Sequence, residues 1–243
     1  MSKIERRNDV LLGVSVYNES EHIIEWLTHW SKLVDDIVVV DQESTDNTVE
    51  LVKGFIKDNP GLVELYRAPR MGKCEPVYQP IQVMAAACDK WMLKMDIDEY
   101  MTPKQFNKMI TLAIKANKIH HTSAFILARK NMVDGIDVSR IFANPNDPHG
   151  RDWQVRLCKG AVLNFGFGSH THPAIVGRWA MLNPDEVMIE HRRTFSGIVR
   201  ANITREEFLE PGARQGQRAF IVRLGELLGK TNEEVDAEVK QYV

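Results

Sequence analysis

Apolar positions along the chain follow two alternating rhythms. Residues 10–16 form a short, β-branched apolar run, which predicts a buried strand of the kind found in parallel sheets. A polar turn, Tyr17-Asn18-Glu19-Ser20, follows it. Ile23, Ile24, Leu27 and Trp30 then recur at helical spacing, with Asn18 or Ser20 placed to cap that helix. Residues 37–40 predict a second strand, and 41–46 the turn after it. Val49, Leu51, Val52, Phe55 and Ile56 make the next helical face, and residues 62–65 a third strand. This strand–helix alternation predicts right-handed crossovers and a mostly parallel sheet with helices on both faces.

The pattern continues beyond this unit. Residues 77–88 read as a helix, with Ile81, Met84, Ala85 and Cys88 on one side. Residues 91–95 read as a strand that runs straight into Asp96-Ile97-Asp98-Glu99. Thr102-Pro103-Lys104-Gln105 starts a helix with a capping box and proline at the first helical position. Residues 124–127 form another strand, and 143–151 an Asn/Pro/Gly loop. Residues 153–157 alternate like a half-buried strand. The glycine-rich stretch 165–168 leads into Ser169-His170-Thr171-His172-Pro173. Beyond His191 the pattern turns helical, with capping boxes at Thr204/Glu207 and Thr231/Glu234. The expected domains are an α/β domain over 1–192 and a small C-terminal helical appendage or lid over 193–243.

Composition narrows the function classes. With 243 residues, 44% hydrophobic and 26% charged, the chain can bury an ordinary globular core. A formal net charge of -2 gives no global basic field for nucleic acid. Arg192, Arg193, Arg200, Arg205, Arg214, Arg218 and Arg223 nevertheless cluster in sequence, and arginine forks suit phosphate. Cys74, Cys88 and Cys158 are odd in number and lack Cys-x-x-Cys spacing, so they read as small core residues in a reducing compartment. Residues 1–9 lack the apolar segment of a signal peptide, and no apolar run approaches the roughly 18 residues of a membrane helix. The expected location is cytoplasmic, with docking onto a lipid carrier at the inner membrane face compatible with that.

Chemistry concentrates at two strand ends. Asp96 and Asp98 stand at the carboxyl end of an apolar strand, where open α/β sheets bind ligands. Alternate positions of an extended chain point the same way, so both carboxylates can face one hard cation, Mg²⁺ or Mn²⁺, together with diphosphate oxygens. Asp41 ends the 37–40 strand, where an acid can accept hydrogen bonds from a base or ribose. Asp46 fits the ordinary role of a helix-start acid better. No Gly-x-Gly-x-x-Gly follows the first strand, which argues against a dinucleotide-binding domain.

Three blocks carry a family resemblance. Val14-Ser15-Val16-Tyr17-Asn18-Glu19, then Val38-Val39-Val40-Asp41-Gln42-Glu43-Ser44-Thr45-Asp46-Asn47-Thr48, then Met95-Asp96-Ile97-Asp98-Glu99-Tyr100 resemble family 2 glycosyltransferases of the GT-A fold, in order and spacing. Arg156-Leu157 and residues 168–172 are similar to the branch containing lipopolysaccharide-core glucosyltransferase-like proteins. The resemblance implies a nucleotide-diphosphate sugar donor held by Tyr17, Asn18, Glu19, Asp41, Asp96, Arg192 and Arg193. It implies a divalent cation on Asp96, Asp98 and His191, and inverting displacement at the anomeric carbon with one general base. Asp152 is the leading base candidate by likeness to the family's Glu-Asp motif, although Arg151 replaces the Glu. Its ordinary alternative is a loop acid paired with Arg151 or Arg156. His170 and His172 are further base candidates, since histidine titrates near neutrality. The sequence departs from the family at Gln42, where many members have a second acid, and at Thr171 and Pro173, where relatives have His-Glu.

The implied acceptor is a hydroxyl of a surface glycan, a lipid-linked glycan or a modified nucleic-acid base, the last not indicated by net charge. Two rivals stand beside this reading. A sugar-nucleotide nucleotidyltransferase needs a Gly-rich basic loop after its first strand, and this chain has Tyr17-Asn18-Glu19-Ser20 there. A catalytically inactive GT-A-like binding module has no need of both Asp96 and Asp98.

Overall fold

A computed structural model describes residues 7–70, 77–142, 152–160, 162–169, 172–204 and 211–242. The elements run β1 (Arg7–Val16), α1 (Ile23–Trp30), β2 (Val34–Asp41), α2 (Thr48–Asp58), β3 (Val63–Arg67), α3 (Tyr78–Ala87), β4 (Trp91–Lys94), β5 (Glu99–Tyr100) and α4 (Pro103–His120). They continue as β6 (Ala124–Val133), β7 (Ile136–Asp137), α5 (Ser139–Phe142), β8 (Asp152–Lys159), β9 (Leu163–Ser169), β10 (His172–Ile175), β11 (Trp179–Met181) and β12 (Met188–Arg193). Helices α6 (Phe195–Thr204), α7 (Pro211–Leu227) and α8 (Asn232–Lys240) close the chain. The fold is mixed α/β with C-terminal helices, as the apolar pattern predicts.

Two compact units divide these elements. The first comprises residues Met1–Ala128 and Trp153–Ile189; the second comprises Arg129–Asp152 and Glu190–Val243. The helical tail expected from residue 193 onward therefore shares its unit with the segment from β6 to the start of β8.

In the first unit the strands order as β3-β2-β1-β4-β8. β1 runs parallel to both β2 and β4, and β2 parallel to β3. β8 is antiparallel to β4. Strand alternation places Val10, Leu12, Val14 and Val16 of β1 in one core, with Trp26, Leu27 and Trp30 of α1, Val52 of α2 and Phe106 of α4. Leu11 lies in the opposite core with Tyr78 and Ile81 of α3. Helices thus cover both faces. Each fully buried aliphatic side chain contributes about 1.5–3 kcal/mol, so these interleaved strands hold the sheet firmly. Gly13 lets α3 approach closely, because a Cβ there would stand 3.0 Å from Ile81 side-chain atoms.

The second unit has its own core, in which Val133 and Val138 pack with Phe195, Ile198 and Val199 of α6, Ile221 and Leu224 of α7, and Val235 of α8.

Local expectations fare unevenly. The capping boxes at Thr102/Gln105 and Thr231/Glu234 are both present, with Pro103 at the helix start. α1 has His22 at its N-cap without a side-chain cap bond, and Asn18 instead bonds Thr45. The backbone of Thr204 ends α6, and its side chain and Glu207 lie outside the described residues. Cys158 is buried, and burial pushes its thiol up to about 12. Cys88, expected in the core, is exposed, and Cys74 lies outside the described residues. No helix among the described residues is long and apolar enough to cross a membrane.

Candidate active site

Parallel pairing in the first unit brings three strand ends to one edge. Val16 stands opposite Asp41 across the β1–β2 ladder, and Gly13 opposite Lys94 across β1–β4. Asp41 and Asp96 therefore leave the sheet on either side of the Tyr17 loop. This is the carboxyl edge where ligands bind in open α/β sheets.

Asp41 is fully buried. Both its oxygens accept from the backbone N–H of Ser44, at 3.3 and 3.2 Å, and Oδ2 also accepts from Arg67 Nε at 3.3 Å. These donors organise the 41–48 turn around the carboxylate. The Tyr17 loop is laced to that turn. Asn18 N donates to Ser44 Oγ, Glu19 N to Thr48 Oγ1, and Ser20 N to Asp46 Oδ2. Asn18 and Glu43 both hold left-handed backbone conformations, with φ of 54° and 59°. Such strain in residues other than glycine concentrates at functional loops. The Arg70 guanidinium lies 3.8 Å over the Tyr17 ring, a cation–π pair beside Asp41 that patterning alone did not reveal. Gln42 is buried and donates to Ser15 Oγ at 2.6 Å.

Asp46 behaves as the helix-start acid expected of it. Its Oδ1 accepts from Thr48 N and Oγ1. Burial would raise its carboxyl, but the Thr48 and Ser20 hydrogen bonds outweigh that and lower it to about 2.

At the end of β4 the geometry differs from strand alternation. Asp96 precedes a tight turn, Ile97-Asp98, closed by Glu99 N donating to Asp96 O at 3.0 Å. Asp98 lies in this turn, so the extended-chain reason for pairing its carboxylate with that of Asp96 does not hold. The indole N–H groups of Trp26 and Trp30 donate to the Asp96 and Glu99 carbonyls, tying the turn to α1.

Arg156 is the residue that pattern reading under-weighted. Antiparallel pairing of β8 on β4 brings it under the turn. It is buried, and its Nη2 donates to both Asp96 Oδ2 and Glu99 Oε1 at 2.5 Å. Glu99 Oε2 in turn accepts from Asp96 N at 3.0 Å. Glu99 is fully enclosed, whereas the Asp96 side chain is 40% exposed. Burial works to lower the guanidinium pKa, but Asp96 and Glu99 outweigh it and raise it, keeping Arg156 charged. Among the described residues no group of three or more His, Cys, Asp and Glu side chains forms a ready-made cation cage. The chain's own contribution here is two part-exposed carboxylates, one pinned from below.

The remaining expected site residues lie elsewhere. In the second unit Asp152 Oδ2 accepts from Arg129 Nε at 2.9 Å and Nη2 at 2.5 Å, whereas Arg156 pairs with Asp96 and Glu99, and Arg151 lies outside the described residues. His191 is buried, with Nδ1 2.7 Å from Asn131 Oδ1. Arg192 Nε donates to Glu190 Oε1 at 2.8 Å, and Arg193 O accepts from Asp134 N. His170 lies outside the described residues, as does the side chain of His172, whose backbone opens β10 in the first unit.

No curated protein sequence matches the chain. Among solved structures, GalNAc-T7 with UDP, GalNAc and Mn²⁺ is similar at TM-score 0.51 and 11% identity, over 96% of this chain and 57% of that one. S. aureus TarS 1-349 in complex with UDP is similar at TM-score 0.49 and 15% identity, over 96% and 70% respectively. A mannosyltransferase from Pyrobaculum calidifontis, PcManGT with GDP-Man and Mn²⁺, reaches TM-score 0.45 and 19% identity, over 91% and 66%. The model of the family described as Glycosyl transferase family 2 matches residues 12–162, which span β1 to β8 and include Asp41, Asp96, Asp98 and Arg156. The chain belongs to glycosyl transferase family 2 and is a glycosyltransferase.

Proposed function

We propose that the chain transfers a sugar from a nucleotide-diphosphate sugar to an acceptor hydroxyl, with inversion and with Mg²⁺ or Mn²⁺. The observation that carries this is the placement of Asp41 and Asp96 at one sheet edge, flanking the Tyr17 loop. Asp41, Tyr17 and Arg70 suit the nucleoside end, offering a carboxylate acceptor beside an aromatic face and a guanidinium. Asn18 and Glu19 shape the loop between them.

The donor set fits a hard divalent cation. Oxygen ligands from one or two carboxylates, completed by substrate phosphates and water, are what Mg²⁺ uses. Asp98 and the exposed part of Asp96 supply that set, and His191 is the proposed nitrogen ligand on the family resemblance. Such a cation would offset charge on the departing nucleoside diphosphate. Arg192 and Arg193 are proposed to add to that, as preorganised positive charge. GalNAc-T7, of similar fold, holds UDP and Mn²⁺ in its structure.

Inversion needs one base on the acceptor hydroxyl. Asp152 is proposed for it, with His170 and His172 as the alternatives. Arg129 fixes the Asp152 carboxylate in orientation, a condition for in-line proton abstraction. A lipid-linked or surface glycan is the proposed acceptor class, reached from the cytoplasmic face of a membrane.

The test is Asp98→Asn. Turnover of the donor should fall by about two orders of magnitude or more, with the melting temperature nearly unchanged. Wild-type turnover in this variant, or full activity in excess chelator, contradicts the cation assignment.

A further inference from the structure

The second unit contains a buried polar chain that bears on the chemistry of one histidine. Asn131 is 2% exposed and His191 7%. Asn131 is held at its backbone on both sides. Its N–H donates to Ser139 Oγ at 2.9 Å, and its carbonyl accepts from Val138 N at 2.9 Å. Its side-chain amide lies between two groups, with Nδ2 3.4 Å from Asp152 Oδ2 and Oδ1 2.7 Å from His191 Nδ1.

Two Arg129 nitrogens donate to Asp152 Oδ2, which keeps that carboxylate an acceptor. An acceptor must face the NH₂ end of the Asn131 amide, so the carbonyl end faces His191. An amide oxygen only accepts hydrogen bonds, so the proton of this contact sits on His191 Nδ1. A neutral imidazole carries one N–H, so its lone pair is on Nε2. This is opposite to the tautomer that a histidine side chain favours in water.

We propose that Asn131, oriented by the Arg129–Asp152 pair, is a positioning residue that fixes His191 as the Nδ1–H tautomer and so makes Nε2 its cation-ligating atom. The ligand clause rests on the function proposed above; the tautomer clause stands on the hydrogen bonds alone. An outer partner that fixes a ligand ring in this way typically carries a 10–100-fold effect on metal affinity, an order-of-magnitude figure.

The experiment uses the full chain labelled with ¹⁵N, at a pH where the ring is neutral. Long-range ¹H–¹⁵N spectra report each ring nitrogen, and His191 is identified by the signals lost in His191→Gln. The expected result is a protonated-type shift at Nδ1 and an unprotonated-type shift at Nε2. Asn131→Leu should release the ring to the other tautomer or a mixture. Asn131→Asp, which still offers an acceptor oxygen, should retain the wild-type pattern even if the leucine variant does not fold. Mn²⁺ added to wild type should broaden the His191 signals. In Asn131→Leu the same broadening should need about 10–100-fold more Mn²⁺. A wild-type ring protonated at Nε2, or an unchanged tautomer in Asn131→Leu, overturns the positioning role. No broadening of His191 by Mn²⁺ overturns the ligand clause. Neither readout uses glycosyl transfer, so a failure of the proposed reaction is seen separately.

Discussion

Two buried polar networks in this chain are built on different principles. Under the Asp96 turn, one guanidinium pairs with two carboxylates, with Glu99 and Arg156 both enclosed. Around His191, an amide passes polarity from an ion pair to a ring that carries no formal charge when neutral. The first network sits at the mouth of a parallel sheet whose strands are fixed by hydrophobic interleaving. The second is carried by Arg129 and Asn131 of β6, Asp152 at the start of β8 and His191 of β12. A carboxylate beside a buried counter-charge depends on charge, whereas a neutral ring beside an amide depends on which of its nitrogens carries the proton. Charge balance makes the first network energetically steep. Removing one partner of a buried ion pair leaves a charge in low dielectric, and that typically costs about 3–5 kcal/mol.

The largest expected effect follows from that steepness. Arg156→Met should destabilise the fold by about 3–5 kcal/mol, because Glu99 is left buried without its counter-charge. Pairing it with Glu99→Gln should recover much of the loss. Denaturant unfolding of the two variants checks this. A loss below about 1 kcal/mol in the single variant would show that Glu99 has another source of compensation and would blur the contrast between the networks.

A smaller effect concerns the loop beside Asp41. The Asp46 carboxyl is lowered in the fold from 3.8 to about 2. A depressed acid stabilises the native state above its unfolded pKa and loses that contribution as pH falls through its folded value. Asp46→Asn should therefore differ from wild type in melting temperature at pH 5 and converge with it on acidification toward about pH 2. Because Asp46 is only partly buried, the difference should be small. A gap that stays constant across that range would mean the carboxylate charge plays no part in holding the loop.

Much of the sheet was legible in the sequence, for identifiable reasons. The apolar runs before Tyr17, Asp41 and Asp96 bury both faces of their strands, and the hydrophobic rhythm records that burial directly. Thr102-Pro103-Lys104-Gln105 writes its capping box in four residues. The placement of Asp41 and Asp96 followed from parallel pairing. What was not legible depends on contacts distant in sequence. Arg156 reaches Asp96 across 60 positions, and Asn131 reaches His191 across another 60. The family resemblance marks Arg156-Leu157 in the sequence, but neither contact partner is written near its residue. Arg70 over Tyr17 is similar, because a loop arginine reads as solvated until its ring partner is placed. The Asp96–Asp98 spacing did mislead about its own geometry. A period of two implies an extended strand, and the chain turns there instead. The helical tail was read correctly as helix, but sequence order concealed that it shares a unit with residues 129–152.

The central claim is that the Asp41–Tyr17–Asp96 edge binds the donor of a glycosyl transfer. Calorimetric titration of wild type and Asp41→Ala with a panel of nucleoside diphosphates, in Mn²⁺, tests it most directly. One nucleoside diphosphate should bind wild type, and its affinity should fall by about tenfold or more in Asp41→Ala, the loss of one or two hydrogen bonds to a charged group. Equal affinity in the two proteins, or no binding by wild type across the panel, would contradict the account.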